Sequence, residues 1–357
     1  MTKRITIALD CMGGDNAPRA IIAGAEMFAS SNSDVDFRLY GDSKLLNSML
    51  EGCEYLQGRN SVIHADQVIS SHDKPSVALK KGIKSSMRLA INSIKDKESD
   101  AVISAGNTGA LMAISKIVLR PIDLIDRPAI VTVLPNMKKY GTVMLDMGAN
   151  IECGPEVLYQ FAVMGHAFAK IMLKIEKPTI GVLNVGSEEM KGNESVKGVA
   201  ALLKESIFAD SFYGYVEGDD IAKGTVDVVV ADGFCGNIVL KSIEGTAKMV
   251  SGILKEGFSS SILAKIGYLL ASNSLSKAFR KVDPRRYNGA MFVGLNGIVV
   301  KSHGSADKVS FCNAINVAVS LVRDKINEEL IGELKACGFN AHKVLEESND
   351  ILENNVQ

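Results

Sequence analysis

The chain has 357 residues, 46% hydrophobic and 23% charged, which is ordinary for a globular protein with one large α/β domain or two smaller ones. A net charge of −1 and the absence of Trp argue against a general nucleic-acid binder, which needs a basic field and stacking platforms. The six Cys form no C-x-x-C pair and no apolar run is long enough to span a bilayer, so we expect reduced thiols and a cytoplasmic location.

The first half of the chain predicts strands that alternate with helices. Apolar runs predict strands at residues 5–9, 37–40, 62–65 and 100–104. Helical spacing predicts helices at residues 20–29, 44–51 and 76–94, and a further helix that ends near residue 119. Residues 130–134 and 141–146 have the pattern of a β-hairpin.

The second half continues the alternation. Strands are predicted at residues 179–185, 213–216, 226–230, 291–293 and 298–301, and helices at 155–175, 194–206 and 309–322. Residues 325–357 have the pattern of a charged helix and a frayed tail. This order favours an α/β fold with a mainly parallel, doubly wound sheet and one antiparallel excursion, built as a single domain over residues 1–357.

Five predicted strand ends carry Gly together with Asn, Ser, Asp or His, at residues 10–16, 104–109, 186–192, 232–237 and 303–307. In a doubly wound sheet such ends meet at one crevice, where backbone N–H groups and helix N-termini hold an anion. An ordinary βα turn, with Gly serving only backbone geometry, is the alternative for each. The candidate phosphate- or substrate-binding residues are Asp10, Gly13, Gly14, Asn16, Gly106, Asn107, Thr108, Asp232, Gly233 and Gly236.

Three further side chains are candidates for chemistry. His303 is flanked by small polar residues at a strand end, which suits phosphate binding or acid–base work as well as a packing role. Lys191 lies in a Gly-bounded turn and is either an anion clamp or a solvated lysine. Cys235 as a thiolate would accept an acyl group, but no His partner is evident, which favours packing.

Nucleotide and metal sites are not indicated. The first βα turn has no G-x-G-x-x-G, and no G-x-x-x-x-G-K-[ST] occurs, which disfavours a nicotinamide cofactor and a P-loop nucleotide. No cluster has metal-ligand spacing. We therefore expect neither a cofactor nor a metal.

A helical segment at residues 251–286 breaks the alternation and predicts an inserted arm. One face of it is apolar, and core, dimer interface, acyl-chain groove and interfacial helix are all open for that face; it comprises Ile262, Leu263, Ile266, Leu269 and Leu270. A basic cluster follows, which suits an acidic protein partner or phosphates; it comprises Lys277, Arg280, Lys281, Arg285 and Arg286.

Eight segments resemble one known family. LDCMGGDNAP, SAGNTGALM, DRPAI, LDMGAN, GSEEMKGNE, ADGFCGNIVLK, YNGA and KSHGSAD occur in this order. Together they resemble bacterial phosphate acyltransferase, the acyl-(acyl-carrier-protein):phosphate transacylase of phospholipid synthesis, from residue 5 to about residue 322. Cys235 stands where members often have Thr, which argues against an essential hydroxyl at that position.

The resemblance implies a Rossmann-like α/β/α three-layer sandwich, similar to phosphotransacetylase and isopropylmalate dehydrogenase, with a protruding helical hairpin. It implies a homodimer that associates peripherally with the membrane and has no redox cofactor. The implied reaction joins a long-chain acyl-ACP and inorganic phosphate to give acyl phosphate and free ACP. The acyl phosphate would pass to a membrane glycerol-3-phosphate acyltransferase.

With that reaction in view, we expect direct attack of phosphate on the thioester, without an acyl-enzyme. Asn237 and Lys191 would orient phosphate or the oxyanion, and His303 would assist by hydrogen bonding. The basic cluster would dock acidic ACP, and the apolar face would contact lipid or the acyl chain. A phosphotransacetylase-like enzyme that uses acyl-CoA and a non-catalytic lipid-binding module are the alternatives.

Overall fold

The computed structural model describes residues 4–138 and 140–337, and for residues 276–282 and 284 only the backbone. The described strands are β1 (Ile5–Asp10), β2 (Val35–Gly41), β3 (Asn60–His64), β4 (Ala101–Ser104), β5 (Ala129–Leu134), β6 (Thr142–Leu145), β7 (Ile180–Leu183), β8 (Phe212–Val216), β9 (Val228–Val230), β10 (Ala290–Val293) and β11 (Ile298–Lys301). They form a sheet in the order β3-β2-β1-β4-β11-β10-β5-β6-β9-β7-β8.

The described helices are α1 (Arg19–Ala29), α2 (Ser43–Leu50), α3 (Pro75–Lys81), α4 (Ser86–Lys95), α5 (Thr108–Leu119), α6 (Pro155–Met172), α7 (Glu194–Lys204), α8 (Gly218–Lys223), α9 (Gly233–Ser259), α10 (Ile262–Val282), α11 (Lys308–Arg323) and α12 (Ile326–Ala336). They cover both faces of the sheet. On one face of the sheet, an apolar core is shared with α1, α2, α6, α7, α11 and α12. On the opposite face, a second apolar core is shared with α3, α4, α5, α8 and part of α9. The predicted three-layer α/β/α fold is confirmed.

The sheet consists of two parallel halves that run in opposite directions. Strands β1 to β4 and β11 are parallel to one another, and so are β6, β7, β8 and β9. Between the halves, β10 is antiparallel to β11 and β5, and β5 is antiparallel to β6. The predicted hairpin of β5 and β6 is therefore confirmed. The single crevice predicted for all five strand ends is wrong, because the carboxyl ends of the two halves lie at opposite edges.

The predicted helix over residues 76–94 is two helices. Helix α3 ends at Lys81 and is capped by Gly82, whose N–H donates to the carbonyl of Ala78 at 2.9 Å. Helix α4 then starts at Ser86, and its N-cap is Ser85, whose hydroxyl accepts from the N–H of Arg88 at 3.2 Å. The apolar spacing continues through the break, which is why periodicity alone predicts one helix.

Helices α9 and α10 form the helical arm, and rings of Phe258 and Tyr268 meet across it at 5.3 Å. The arm emerges from α9, which begins at Gly233, earlier than the predicted residue 251. The five apolar residues singled out on α10 are between 49% and 84% exposed, so the core alternative for them is wrong within this chain. Of the described helices, none is long and apolar enough to cross a membrane. The division into one domain with an inserted arm stays a prediction.

Candidate functional site

A cleft of about 690 Å³ lies between α9 and the antiparallel strands at the centre of the sheet. Alternate residues of β5, Ile130, Thr132 and Leu134, form its floor, as the period-two geometry of a strand requires. Helix α9 starts at the carboxyl end of β9 and crosses this floor toward the carboxyl end of β11. It thereby connects strand ends from the two oppositely directed halves.

The cleft contains a cluster of charged and polar side chains at the end of β11. Lys241 Nζ on α9 lies 2.9 Å from Glu244 Oε2 and 3.2 Å from His303 Nε2. His303 Nε2 is 3.5 Å from the same Glu244 oxygen. The hydrogen bond from His303 and that from Lys241 hold the pKa of Glu244 at about 2, so this carboxylate is ionised at neutral pH.

The surrounding hydrogen bonds fix the tautomer and position of His303. The backbone N–H of Ser305 donates to Nδ1 at 3.2 Å, which leaves the proton of the neutral ring on Nε2. The backbone N–H of His303 donates to Asn288 Oδ1 at 2.8 Å, and Asn288 in turn donates to Ser302 Oγ and to the carbonyl of Ser310. The imidazole is therefore a hydrogen-bond donor directed into the cleft.

A second lysine lines the cleft at the last residue of β11. Lys301 Nζ donates to the carbonyls of Ala105, at 3.4 Å, and Ser302. In the part of the chain that the structure describes, no carboxylate lies within 4.0 Å of this ammonium. Burial, with the positive charge of Lys241 as the next cause, lowers the pKa of Lys301 to about 8.

At the other end of the cleft, α9 begins against the turn that follows β6. Asp146 is buried, and its carboxylate accepts N–H groups of Ile130, Ala149 and Asn150 at 2.6 to 3.1 Å. A Cβ on Gly236 would overlap the carbonyl oxygen of Asp146, and one on Gly233 would lie 2.6 Å from that of Asn150. These two glycines are required for the close approach of helix and turn, and Asp232 caps the helix through the N–H of Cys235 at 2.7 Å.

Of the residues predicted from the sequence, Thr108, Gly233, Asn237 and His303 line this cleft, as does Arg285 of the basic cluster. Asn237 is exposed, and its side chain lies beside Gly148 in the turn after β6. The cleft therefore brings Asn237 and His303 to a shared cavity from different halves of the sheet.

The other predicted residues near β1 and β4 support the loops around the cleft and do not line it. Asp10 is buried and accepts from Ser86 Oγ and Ser104 Oγ, each at 2.6 Å, and burial raises its pKa. Asn16 donates to the carbonyls of Ser305 and Ala306, both at 3.2 Å, and so holds the loop of His303. Asn107 accepts from the N–H of Ala110 and caps α5.

The glycines of these loops are close-packed. A Cβ on Gly13 would lie 2.8 Å from the backbone nitrogen of Gly106, and one on Gly14 would lie 2.9 Å from the carbonyl oxygen of Gly304. The loops after β1, β4 and β11 are thus in direct backbone contact. This close backbone contact is enough to explain why Gly occurs at these positions, and no bound anion is needed to explain it.

Lys191 does not line the cleft. It lies in the turn after β7, where its ammonium is 2.8 Å from Glu188. Because β7 belongs to the half of the sheet that runs opposite to β11, the sequence could not place it relative to His303. In this arrangement Lys191 does not line the cavity that contains His303 and Asn237.

Of the basic cluster, only Arg285 and Arg286 have described side chains; those of Lys277, Arg280 and Lys281 lie outside the described residues. Arg285 is 2.8 Å from Asp283 and 3.5 Å from Asp307. Arg286 is exposed.

Four cleft or cleft-supporting residues were missed at the sequence level: Lys241, Glu244, Asn288 and Lys301. Three of them lie inside the segments ADGFCGNIVLK, YNGA and KSHGSAD, which was the available signal. Glu244 follows Lys241 by one helical turn, a spacing that favours an ion pair.

Cys235 is exposed at the start of α9 and does not line the cleft. Partial burial of its sulfur, followed by the nearby Asp232, raises the pKa of this thiol to about 11. A thiol with that pKa is almost wholly protonated at neutral pH and is a poor nucleophile.

We therefore expect Cys235→Ser to keep kcat within about twofold of wild type, because a protonated thiol contributes no covalent step. The rate of Cys235 alkylation by iodoacetamide should rise steadily as the pH is raised toward 11. Loss of activity in Cys235→Ser, or an acyl group trapped on this sulfur, would contradict direct attack by phosphate.

Comparison with known proteins gives the family. A family model described as "Fatty acid synthesis protein" matches residues 5–329. A protein named phosphate acyltransferase from Paramagnetospirillum magneticum is 50% identical over 330 residues, which cover 92% of this chain and 94% of that protein. The chain belongs to the bacterial phosphate acyltransferase family. A second protein of that name, from Rhodospirillum centenum, is 50% identical over 334 residues and 94% of each chain.

Solved structures support the fold. A phosphotransacetylase from Streptococcus pyogenes matches with a TM-score of 0.57 at 15% identity, over 90% of this chain and 95% of that chain. A branched-chain phosphotransacylase from Enterococcus faecalis matches with a TM-score of 0.53 at 12% identity, over 89% and 99%. The predicted similarity of this phosphate acyltransferase family member to phosphotransacetylases is thus confirmed for the fold.

Proposed function

We propose that the protein transfers a long-chain acyl group from acyl-ACP to inorganic phosphate. The main support is the first cleft, in which an apolar floor lies beside the cluster of Lys241, Glu244 and His303. An oxygen of hydrogen phosphate attacks the thioester carbonyl, the C–S bond breaks, and the phosphate proton ends on the ACP thiol. Acyl phosphate and ACP–SH are the products, and no redox step or cofactor is needed.

The proposed roles follow from position in the cleft. His303, as an Nε2–H donor, stabilises phosphate or the oxyanion that develops on the thioester carbonyl. Asn237 offers an amide N–H from the opposite end of the cleft. Lys191 contributes only if the turn after β7 moves toward the cleft, since it is paired with Glu188 here.

A second cleft, of about 830 Å³, lies between α9 and α10 and is lined by Leu254, Phe258, Tyr268 and Leu269. Arg285 lines both this cleft and the first one, so the two are neighbours. We propose that the acyl chain lies in the second cleft while its thioester reaches the first. The exposed apolar residues at the arm would contact lipid, which gives peripheral membrane association of a cytoplasmic homodimer.

Leu269 and Leu270 offer a test that separates these two roles. Leu269 lines the second cleft, whereas Leu270 is 84% exposed and does not. We expect Leu269→Glu to raise the KM for palmitoyl-ACP about tenfold or more, since it places a charge against the acyl chain. Leu270→Glu should weaken binding to anionic liposomes with little change in that KM. If both variants retain wild-type liposome binding and KM, the arm contacts neither lipid nor acyl chain.

The basic cluster is proposed to dock acidic ACP. Arg286 is the better test position, because Arg285 is engaged by Asp283 and Asp307 and its reversal would also disturb the local fold. We expect Arg286→Glu to raise the KM for acyl-ACP about three- to tenfold at low salt, with a smaller effect at high salt. An unchanged KM at low salt would exclude this docking site.

The recipient of the acyl phosphate is proposed to be a membrane glycerol-3-phosphate acyltransferase. A phosphotransacetylase-like enzyme that uses acyl-CoA is the second candidate, favoured only by the shared fold. Rates with palmitoyl-CoA and palmitoyl-ACP at equal concentration distinguish the two. The proposal expects the ACP thioester to react faster, and faster reaction of the CoA thioester would favour the second candidate.

A further inference from the structure

The carboxylate of Glu244 occupies a position that is surrounded by cationic and hydrogen-bonding groups. Lys241 Nζ at 2.9 Å and His303 Nε2 at 3.5 Å both point to its Oε2 atom, and its side chain is only 18% exposed. Glu244 is on the same helix as Lys241, but His303 lies in the turn after β11, 59 residues from Glu244 in sequence. The two donors therefore meet at this carboxylate from separate elements.

The cleft holds more cationic than anionic groups at this point. Lys241 shares Glu244 with His303, whereas the hydrogen-bond partners of Lys301 among the described residues are carbonyl oxygens. Lys301 has no carboxylate within 4.0 Å among the described residues, and Asp10 and Asp15 act on it only from farther away, so burial still penalises its charge. A dianion would satisfy Lys301 and the two donors now directed at Glu244.

We propose that Lys241, Lys301 and His303 form the binding site of the attacking phosphate. The Glu244 carboxylate occupies this site in the free protein, and its side chain rotates out of the site when phosphate binds. This inference rests on the proposed function and specifies its phosphate site. Glu244 then competes with phosphate for the same donors, and it keeps Lys241 oriented while no phosphate is bound. The lowered pKa of Lys301 fits this assignment, because a bound dianion would stabilise the charged form of a buried ammonium.

The test is equilibrium binding of inorganic phosphate to the full chain, measured by dialysis with labelled phosphate at pH 7. Lys241→Met and Lys301→Met should each raise the Kd at least about tenfold, because a charge-assisted hydrogen bond to phosphate is lost. Glu244→Gln should lower the Kd about fivefold, since a neutral amide competes less well for the lysine.

Matched controls are Lys116→Met and Glu256→Gln, which change exposed side chains on α5 and α9 that do not line either cleft. Their Kd should equal that of wild type, and thermal unfolding checks that every variant is folded. Wild-type Kd in both lysine variants, or a raised Kd in Glu244→Gln, would overturn the inference. The latter would make Glu244 a positioning residue for His303.

Acyl-ACP also carries a phosphate, on its pantetheine arm, so the KM for acyl-ACP is measured in the same variants. It should stay within about twofold of wild type, and a change confined to this KM would overturn the assignment to inorganic phosphate. The proposed function is judged separately. If wild type binds phosphate but releases no thiol from acyl-ACP in its presence, the proposed reaction fails whatever the variants bind.

Discussion

Gly236→Ala is expected to destabilise the protein by about 3 kcal/mol or more, or to prevent it from folding. Overpacking usually destabilises a protein by about 1–3 kcal/mol, and the cost is higher where the surrounding atoms cannot move. A Cβ at this position would overlap the carbonyl oxygen of Asp146, which is backbone. No rotamer change can relieve the overlap. The Asp146 turn is itself held by hydrogen bonds to Ile130, Ala149 and Asn150, so it cannot withdraw cheaply.

Gly245→Ala is the matched control on the same helix. Gly245 is exposed, and a Cβ there meets nothing within 4 Å. The same substitution should stabilise the protein by about 0.5–1 kcal/mol, since Ala loses less backbone entropy in a helix. Urea unfolding and the midpoint of thermal unfolding check both variants. Equal stability of the two would mean that α9 does not approach the Asp146 turn as described.

His303→Ala is expected to lower kcat by about 10²–10³-fold, the usual size of a lost hydrogen-bond donor to a developing oxyanion or of a lost acid–base group. The ring lies in the cleft with Nε2–H directed toward Glu244 Oε2, and Lys241 Nζ lies 3.2 Å from Nε2. Steady-state rates at saturating phosphate and acyl-ACP check the loss. His64→Ala is the control, because His64 pairs with Asp66 at the end of β3 and does not line the cleft.

His303→Gln separates the two roles of the ring. A Gln side chain retains an N–H donor but cannot transfer a proton near neutral pH. If His303 acts by hydrogen bonding, as proposed, His303→Gln should retain clearly more activity than His303→Ala. Equal rates in the two variants would indicate acid–base catalysis, and a loss of less than about threefold in His303→Ala would remove the ring from the mechanism.

The strands and the turns at their ends could be predicted because burial and turn chemistry leave local signals. The strand predicted at residues 226–230 is an example and is observed as β9. Of the turn predicted at residues 232–237, Asp232 is the N-cap of α9 and the other residues form the first turn of that helix. Strand direction leaves no such signal. An apolar run of four to six residues predicts a strand but not its direction. The sequence therefore did not show that β6 to β9 run opposite to β1 to β4 and β11.

The candidate site was predicted in part, for the same reason. His303 and Asn237 stood out because each lies in a Gly-containing segment predicted at a strand end, at residues 303–307 and 232–237. Lys241 is 62 residues from His303 in the chain, and their proximity depends on α9 crossing β5 and β10. The two glycines of the turn at residues 232–237 suggested an anion cradle, yet they are required for packing against Asp146 and Asn150.

The central claim is a phosphate-dependent acyl transfer from a carrier-protein thioester. The most direct measurement is free thiol released from palmitoyl-ACP by the purified protein, with and without inorganic phosphate. We predict rapid, stoichiometric thiol release that requires phosphate and yields palmitoyl phosphate. Thiol release that is absent with phosphate, or equally fast without it, would contradict the claim.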